Sequence, residues 1–246
     1  MILRAQRVFT GLGLLTPGEV EITGQRITYA GPVRSTTAPV LDLGAQVLAP
    51  GFVDVHCHGG GGVEFSQDPG LAIAAHRDHG TTSIIASLVS QPLEVLHHQI
   101  VTLAPLAATG MLAGLHLEGP WLAPTHRGAH AREHLRDPHP TEVATALEAG
   151  GGAVRMVTLA AERGCGLDVV RLLADQGVVA ALGHTGADHT SAQAAIDAGV
   201  TGATHVFNAM PGLHHRDPGP VLALLADPRV WLEVICDGVH LAAELV

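Results

Sequence analysis

Apolar and polar positions change rhythm near residue 50. Before it, short alternating segments, AQRVFTG, GEVEITGQRITYAG and APVLDLGAQVLAPG, are broken by Gly and Pro at hairpin spacing and predict three to five β-strands within residues 1–49. From Gly51 onward, continuous apolar runs alternate with Ala-rich stretches of helical period. The runs are GFVDVHCH, TTSIIASLV, MLAGLHLE, VRMVTLA, GVVAALGH, GATHVFN and VWLEVICDG. Between them, PGLAIAAHRDHG, PLEVLHHQIVTLAPLAATG, TEVATALEAGG, LDVVRLLADQG and TSAQAAIDAG read as helices. Continuous apolar strands in βα alternation are buried on both faces, which argues for a parallel sheet.

The repeat length narrows the architecture. The repeats between Phe52 and Trp231 average roughly 30 residues, the spacing of a closed eight-stranded (β/α) barrel. Residues 50–246 are therefore expected to form an α/β domain of the (β/α)8-barrel kind with seven βα units, and residues 1–49 a small, partial β domain. An eighth strand is expected near position ~260, past Val246, which would leave both domains incomplete and two parallel edges exposed. A doubly wound sheet is the competing architecture, but the four glycines after His58 lack G-x-G-x-x-G spacing.

Composition then removes several classes of function. With 246 residues and 47% hydrophobic content the chain can bury a substantial core. A formal charge of −10 with no arginine cluster argues against nucleic acid or an anionic membrane as partner, so any anionic ligand must be held by local groups. All 13 basic residues are Arg, and the lack of Lys excludes Schiff-base chemistry, a P-loop lysine and a carboxylated lysine bridging two metals. Cys57, Cys165 and Cys236 are widely spaced and odd in number, which favours reduced thiols and a cytoplasmic setting. The opening MILRAQRVFTGLGLL carries Arg inside its apolar stretch, and no 18 apolar residues run together, so a soluble, non-exported chain is expected.

In a barrel of this kind the reactive groups sit at the C-terminal ends of strands. Those ends carry His56 and His58, Glu118, His184, His205 with Asn208, and Asp237 with His240. His56 and His58 point to one strand face, about 6–7 Å apart, a gap one ion can bridge. About one His-x-His pair is expected by chance in a chain this rich in histidine, and a single strand-end histidine is most often a hydrogen-bonded turn residue. Convergence of His56, His58, Glu118, His184 and His205 on one rim outweighs that reading. Four imidazoles and a carboxylate suit Zn²⁺ or another borderline divalent ion. Asp54 shares the His56 face and reads equally as a partner to the ligands or as a buried carboxylate, while Cys57 points the other way. HAREH, residues 130–134, matches the H-x-x-E-H pattern of inverted zinc proteases, but its flanks PTHRGA and LRDPHP read as loop. The pairs His76 with His79, His97 with His98, and His214 with His215 read as exposed polar faces.

APGFVDVHCHGGGG, GLHLEGPWLAPTHRGAH, LGHTGA, GATHVFNAMPGLHHRDPG and ICDGVH stand in an order and spacing that resembles the N-acetylglucosamine-6-phosphate deacetylases of the amidohydrolase superfamily, over the whole chain. The resemblance implies a metal-dependent hydrolase that removes the acetyl group of an amino-sugar phosphate, giving glucosamine 6-phosphate and acetate. By motif it implies Glu118, His184 and His205 as ligands of a principal ion and His56 and His58 as ligands of a second, with zinc expected. It implies sugar and phosphate contacts at His130, Asn208, the Ala209 amide, Arg216 and His240, and a homodimer, because the family's arginine can come from a neighbouring subunit. A phosphate on an acidic protein needs a charge-assisted donor, which Arg216 before the turn DPG can supply. The missing lysine fits too, because this family uses the strand 3 glutamate where related hydantoinases use a carboxylated lysine. The family's general base is an aspartate ending strand 8, expected past Val246, so the catalytic residue is not identified within this chain; Asp237 belongs to a separate strand 7 feature. The alternatives are a non-catalytic chain that binds metal and sugar phosphate, or another amidohydrolase acting on an N-acyl substrate.

Overall fold

The computed structural model describes Met1–Val246, which divide into two units, Met1–Phe52 and Val53–Val246. In the first, seven strands form rather than three to five: β1 (Ile2–Ala5), β2 (Arg7–Phe9), β3 (Leu14–Leu15), β4 (Gly18–Thr23), β5 (Arg26–Pro32), β6 (Val40–Asp42) and β7 (Val47–Leu48). Several have only two or three residues, too few for alternation to register in a sequence. They make two sheets, β5-β4-β1-β6 and β3-β2-β7. Ala5, Val8 and Val20 are buried with Leu15, Ile22, Leu43 and Leu48 against them. Buried Glu19 is paired with Arg4 at 2.9 Å and Arg34 at 2.8 Å, so its charge is compensated where it enters the sheet.

The second unit alternates strand and helix. In order come β8 (Phe52–Cys57), a hairpin of β9 (Gly59–Gly60) and β10 (Val63–Glu64), α1 (Pro69–Arg77), β11 (Thr81–Val89), α2 (Leu93–Ala108), β12 (Gly114–Glu118) and α3 (Pro140–Gly150). There follow β13 (Val154–Leu159), α4 (Gly166–Asp175), β14 (Val179–Leu182), α5 (His189–Ala198), β15 (Val200–Ala203), α6 (Gly219–Ala226) and β16 (Trp231–Leu232). The strands lie side by side in sequence order, β8-β11-β12-β13-β14-β15-β16, and the neighbouring pairs from β11 to β16 are parallel. Laid flat, a seven-stranded sheet would be roughly 29 Å wide. Yet His56 on the first strand and Glu233, directly after the last, stand 2.9 Å apart, Nδ1 to Oε2. The sheet is therefore curled as a partial barrel of the (β/α)8 kind, with β8 and β16 as its unpaired edges and side chains from both meeting at the mouth.

Local chemistry sets the element boundaries. Asp68 and Asp188 cap α1 and α5 by accepting hydrogen bonds from the Leu71 and Ser191 amides, and α3 ends at Gly151 in the left-handed region. Buried Leu96, Ile100 and Leu103 of α2, and Val169, Val170 and Leu173 of α4, fall on one face at helical spacing. α6 is absent from the sequence expectations because GPVLALLA is apolar almost all round and carries no 3.6-residue contrast. β15 and β16 are shorter than GATHVFN and VWLEVICDG suggest. After Ala203 the chain adopts positive φ at His205, Phe207 and Ala209, which no strand accommodates. No helix is long and apolar enough to cross a membrane.

Leu117 on β12 is fully buried in the core that joins sheet and helices. Leu117→Ala should cost about 2–5 kcal/mol by urea unfolding, whereas exposed Leu213→Ala should stay within about 0.5 kcal/mol. A Leu117→Ala cost below that of Leu213→Ala would place Leu117 outside the core.

Candidate metal centre

β12 brings Glu118 to the barrel mouth. The next residue, Gly119, has φ +84°, and a Cβ there would collide with Ser90 Oγ, so only glycine lets the chain leave the strand this sharply. The Glu118 side chain is only 4% exposed. Its Oε1 lies 3.1 Å from His205 Nε2, 3.3 Å from His184 Nε2 and 3.5 Å from His56 Nε2. Its Oε2 lies 3.0 Å from His58 Nε2 and 3.4 Å from His130 Nε2. Five imidazoles surround one carboxylate: two from β8 and its end, one after β14, one after β15, and one from the loop between β12 and α3.

The far ring nitrogens decide what each imidazole presents to the centre. His184 Nδ1 is 2.8 Å from the His126 carbonyl and His58 Nδ1 is 3.3 Å from the Ser87 carbonyl. A carbonyl only accepts, so each of these nitrogens carries the proton and Nε2 offers a lone pair. His56 Nδ1 faces the Glu233 carboxylate in the same way. The Nε2 atoms then face one another, His56 to His58 at 3.1 Å and His184 to His205 at 3.1 Å. Lone pairs and carboxylate oxygens packed this closely repel unless a cation or a proton stands between them. Two overlapping groups result, His56–His58–Glu118 and Glu118–His184–His205, each with donor atoms within 4.8 Å of one another. Nitrogen and carboxylate donors in this arrangement fit a borderline divalent ion, and Glu118, shared by both groups, can serve two.

His130 presents the opposite face. The Ser90 amide donates to its Nδ1 at 3.3 Å and Ser90 Oγ lies 2.8 Å from the same atom, so Nδ1 accepts and the proton sits on Nε2. It offers the centre an N–H. Beneath the rim, fully buried His116 spans Ser87 Oγ at 2.9 Å and Thr158 Oγ1 at 2.8 Å, and Thr158 in turn meets Thr204 at 2.7 Å. The His116 ring stands edge-on to His56, centroids 4.6 Å apart. Burial drives His116 well below the ordinary imidazole range, so it is neutral.

Charge in the centre is strongly coupled. Burial opposes a charged His56, but Glu118 and Glu233 outweigh it and hold His56 up at about 10. Burial would likewise raise Glu118, yet His130, His184, His205 and His56 together keep it well below the usual carboxylate range. Glu118 is thus ionised, and without a metal His56 holds the proton that relieves the crowding.

The remaining residues singled out in the sequence fall in different places. Asn208 Nδ2 donates to the His205 carbonyl at 3.3 Å, and Ala209, at φ +52°, accepts from the Thr185 amide at 3.2 Å. Arg216 and His240 lie in exposed segments and do not touch the cluster; His240 Nδ1 pairs with Asp237 at 2.7 Å. Asp54 accepts from the His56 amide at 3.2 Å rather than from its ring. Cys57 faces away, with Sγ 2.9 Å from His76 Nε2, and burial pushes its thiol up to about 11. Asp54, Cys57 and His76 also bring donor atoms together, but the Gly59 carbonyl, 2.9 Å from His76 Nε2, fixes an N–H there and leaves no lone pair for a metal. His76 and His97 are half-buried, not exposed: His76 Nε2 reaches the Gly59 carbonyl, and His97 Nε2 is buried. HAREH carries one short turn, Arg132–His134, and no regular helix. Glu233 is the residue that sequence reasoning passed over; its only signal is a carboxylate flanked on both sides by apolar residues in VWLEVIC.

Residues 47–245 match the amidohydrolase family. The chain is similar to the N-acetylglucosamine-6-phosphate deacetylase of Bos taurus, 41% identical over 81% of this chain and 53% of the relative. It is similar to the N-acetylgalactosamine-6-phosphate deacetylase of Escherichia coli O157:H7, 35% identical over 97% of this chain and 65% of the relative. A mutant N-acetyl-D-glucosamine-6-phosphate deacetylase from Mycobacterium smegmatis, solved in complex with N-acetyl-D-glucosamine-6-phosphate, matches with a TM-score of 0.95 and 47% identity over 100% of this chain and 65% of that one. The chain thus spans between 53% and 65% of the length of these proteins.

His56 is protonated below about 10, so an ion that takes His56 as ligand must displace a proton at neutral pH. Affinity for that ion should rise roughly tenfold per pH unit between pH 7 and 9. Calorimetry in buffers of different ionisation enthalpy reads the proton released, and pH-independent binding without release would remove His56 from the ligand set.

Proposed function

The chain belongs to the amidohydrolase family, and on that premise we propose that it is a metal-dependent deacetylase, converting N-acetylglucosamine 6-phosphate to glucosamine 6-phosphate and acetate. The observation that carries this reading is the ring of imidazole lone pairs closed around the shared Glu118 carboxylate. In it Glu118, His184 and His205 would hold one divalent ion, and His56 and His58 a second. Zinc suits such donors, and when bound it supplies Lewis acidity toward the carbonyl oxygen of the acetamide.

The chain's own residues divide the rest of the work. Ionised Glu118 supplies the negative charge that keeps a cation in the barrel mouth. The His126 and Ser87 carbonyls hold His184 and His58 in the tautomer that leaves Nε2 free. His130, whose Nε2–H points to the same centre, donates to the acetamide oxygen as it gains negative charge, a contact of the kind worth about 10²–10³ in rate. Asn208, the Ala209 amide and His240 bind the sugar phosphate. Arg216, which is exposed, serves the phosphate of a neighbouring subunit in a homodimer. Three free thiols suit a reducing cytoplasm.

Acetate release from N-acetylglucosamine 6-phosphate, run beside the galactosamine epimer, tests the proposal. Activity should vanish on chelation, return with zinc, and fall at least about 100-fold in Glu118→Gln. Release that persists at the full rate in chelator would sink it. His130→Asn should lower kcat about 10²–10³-fold with bound metal unchanged; loss of metal from that variant would make His130 a ligand.

A further inference from the structure

Glu233 is held more firmly than a residue just past a two-residue strand needs to be. Its amide donates to the Ala203 carbonyl at 2.9 Å, and its own carbonyl accepts from the Val206 amide at 2.8 Å, which ties it to the end of β15 on both sides. Its side chain is nearly buried, 12% exposed. Oε2 accepts from His56 Nδ1 at 2.9 Å and from the His205 amide at 3.4 Å. Oε1 is buried and has no hydrogen-bond partner. A carboxylate in this position carries a charge that the protein's own donors do not fully answer.

The imidazoles of the centre differ in what backs them. His184 and His58 lean on backbone carbonyls, which are neutral. His56 alone leans on a carboxylate, which fixes its ring more strongly and raises the electron density at Nε2. His116 stands edge-on to the same ring from below. We infer that Glu233 is a positioning residue for His56 and sets the affinity of the ion held by His56 and His58, leaving the ion at Glu118, His184 and His205 to its other ligands. This rests on the metal-centre reading given above. Glu233 acts on that ion through the His56 ring, which it reaches from the end of the last strand.

The test is metal titration of the full chain, wild type beside Glu233→Gln, His56→Ala and the double variant. The binding step that disappears in His56→Ala identifies the His56–His58 ion. Glu233→Gln should weaken that step about 10–100-fold and change the other less than about threefold. In the His56→Ala background, adding Glu233→Gln should cost nothing more at the remaining step. Melting in chelator reports whether each variant is folded. Affinities unchanged by Glu233→Gln, equal losses at both steps, or a further loss in the double variant overturn the inference while leaving the metal centre standing. A wild-type chain that binds no divalent ion overturns both.

Discussion

An ionised carboxylate cannot stay buried unless donors or cations surround it. Glu118 is such a group, and much of the barrel's upper half can be understood as its surroundings. The imidazoles that approach it come from four places in the chain, and each of these needs its strand or loop to end at the right height. Once the strands lie in sequence order, that requirement is met only if the sheet curls far enough for β8 and the end of β16 to face each other. The curl of the sheet and the centre are one geometric condition.

The interior beneath the rim is built to match. A barrel of small, apolar strands could fill this layer with aliphatic side chains, but His116, Ser87, Thr158 and Thr204 form a continuous hydrogen-bonded row instead. Every member has a partner, so the row is not a desolvation penalty left open. It gives the imidazole above it a fixed, neutral floor, where an aliphatic layer would offer packing but no direction.

The sequence made one half of this legible. TTSIIASLV coincides with β11, and His56, His58, Glu118, His184 and His205 could be grouped because a barrel carries its chemistry at strand ends, a rule that needs only the order of elements. What lay outside its reach depends on contacts or dihedral angles that have no local pattern. Glu233 has its partner 177 positions away. The proton of His130 is placed by Ser90, which nothing in RGAH announces. Positive φ at His184 and His205 is invisible in the letters, since neither is glycine, and such backbone is typical of places where function overrides local preference. The two- and three-residue strands before residue 50 are too short to show alternation, and α6 is too uniformly apolar to show a period.

The 177-residue span between His56 and Glu233 also has a meaning in time. At ribosomal speeds of about 5–20 residues per second, roughly 10–35 s separate the synthesis of the two. During that interval the β8 histidines exist without the carboxylate that orients them, and without the strands that bring His184 and His205. An ion held by His56, His58 and Glu118 before then lacks the carboxylate that backs the first of those rings. The His56 ring reaches its final orientation only once β16 is in place beside β15.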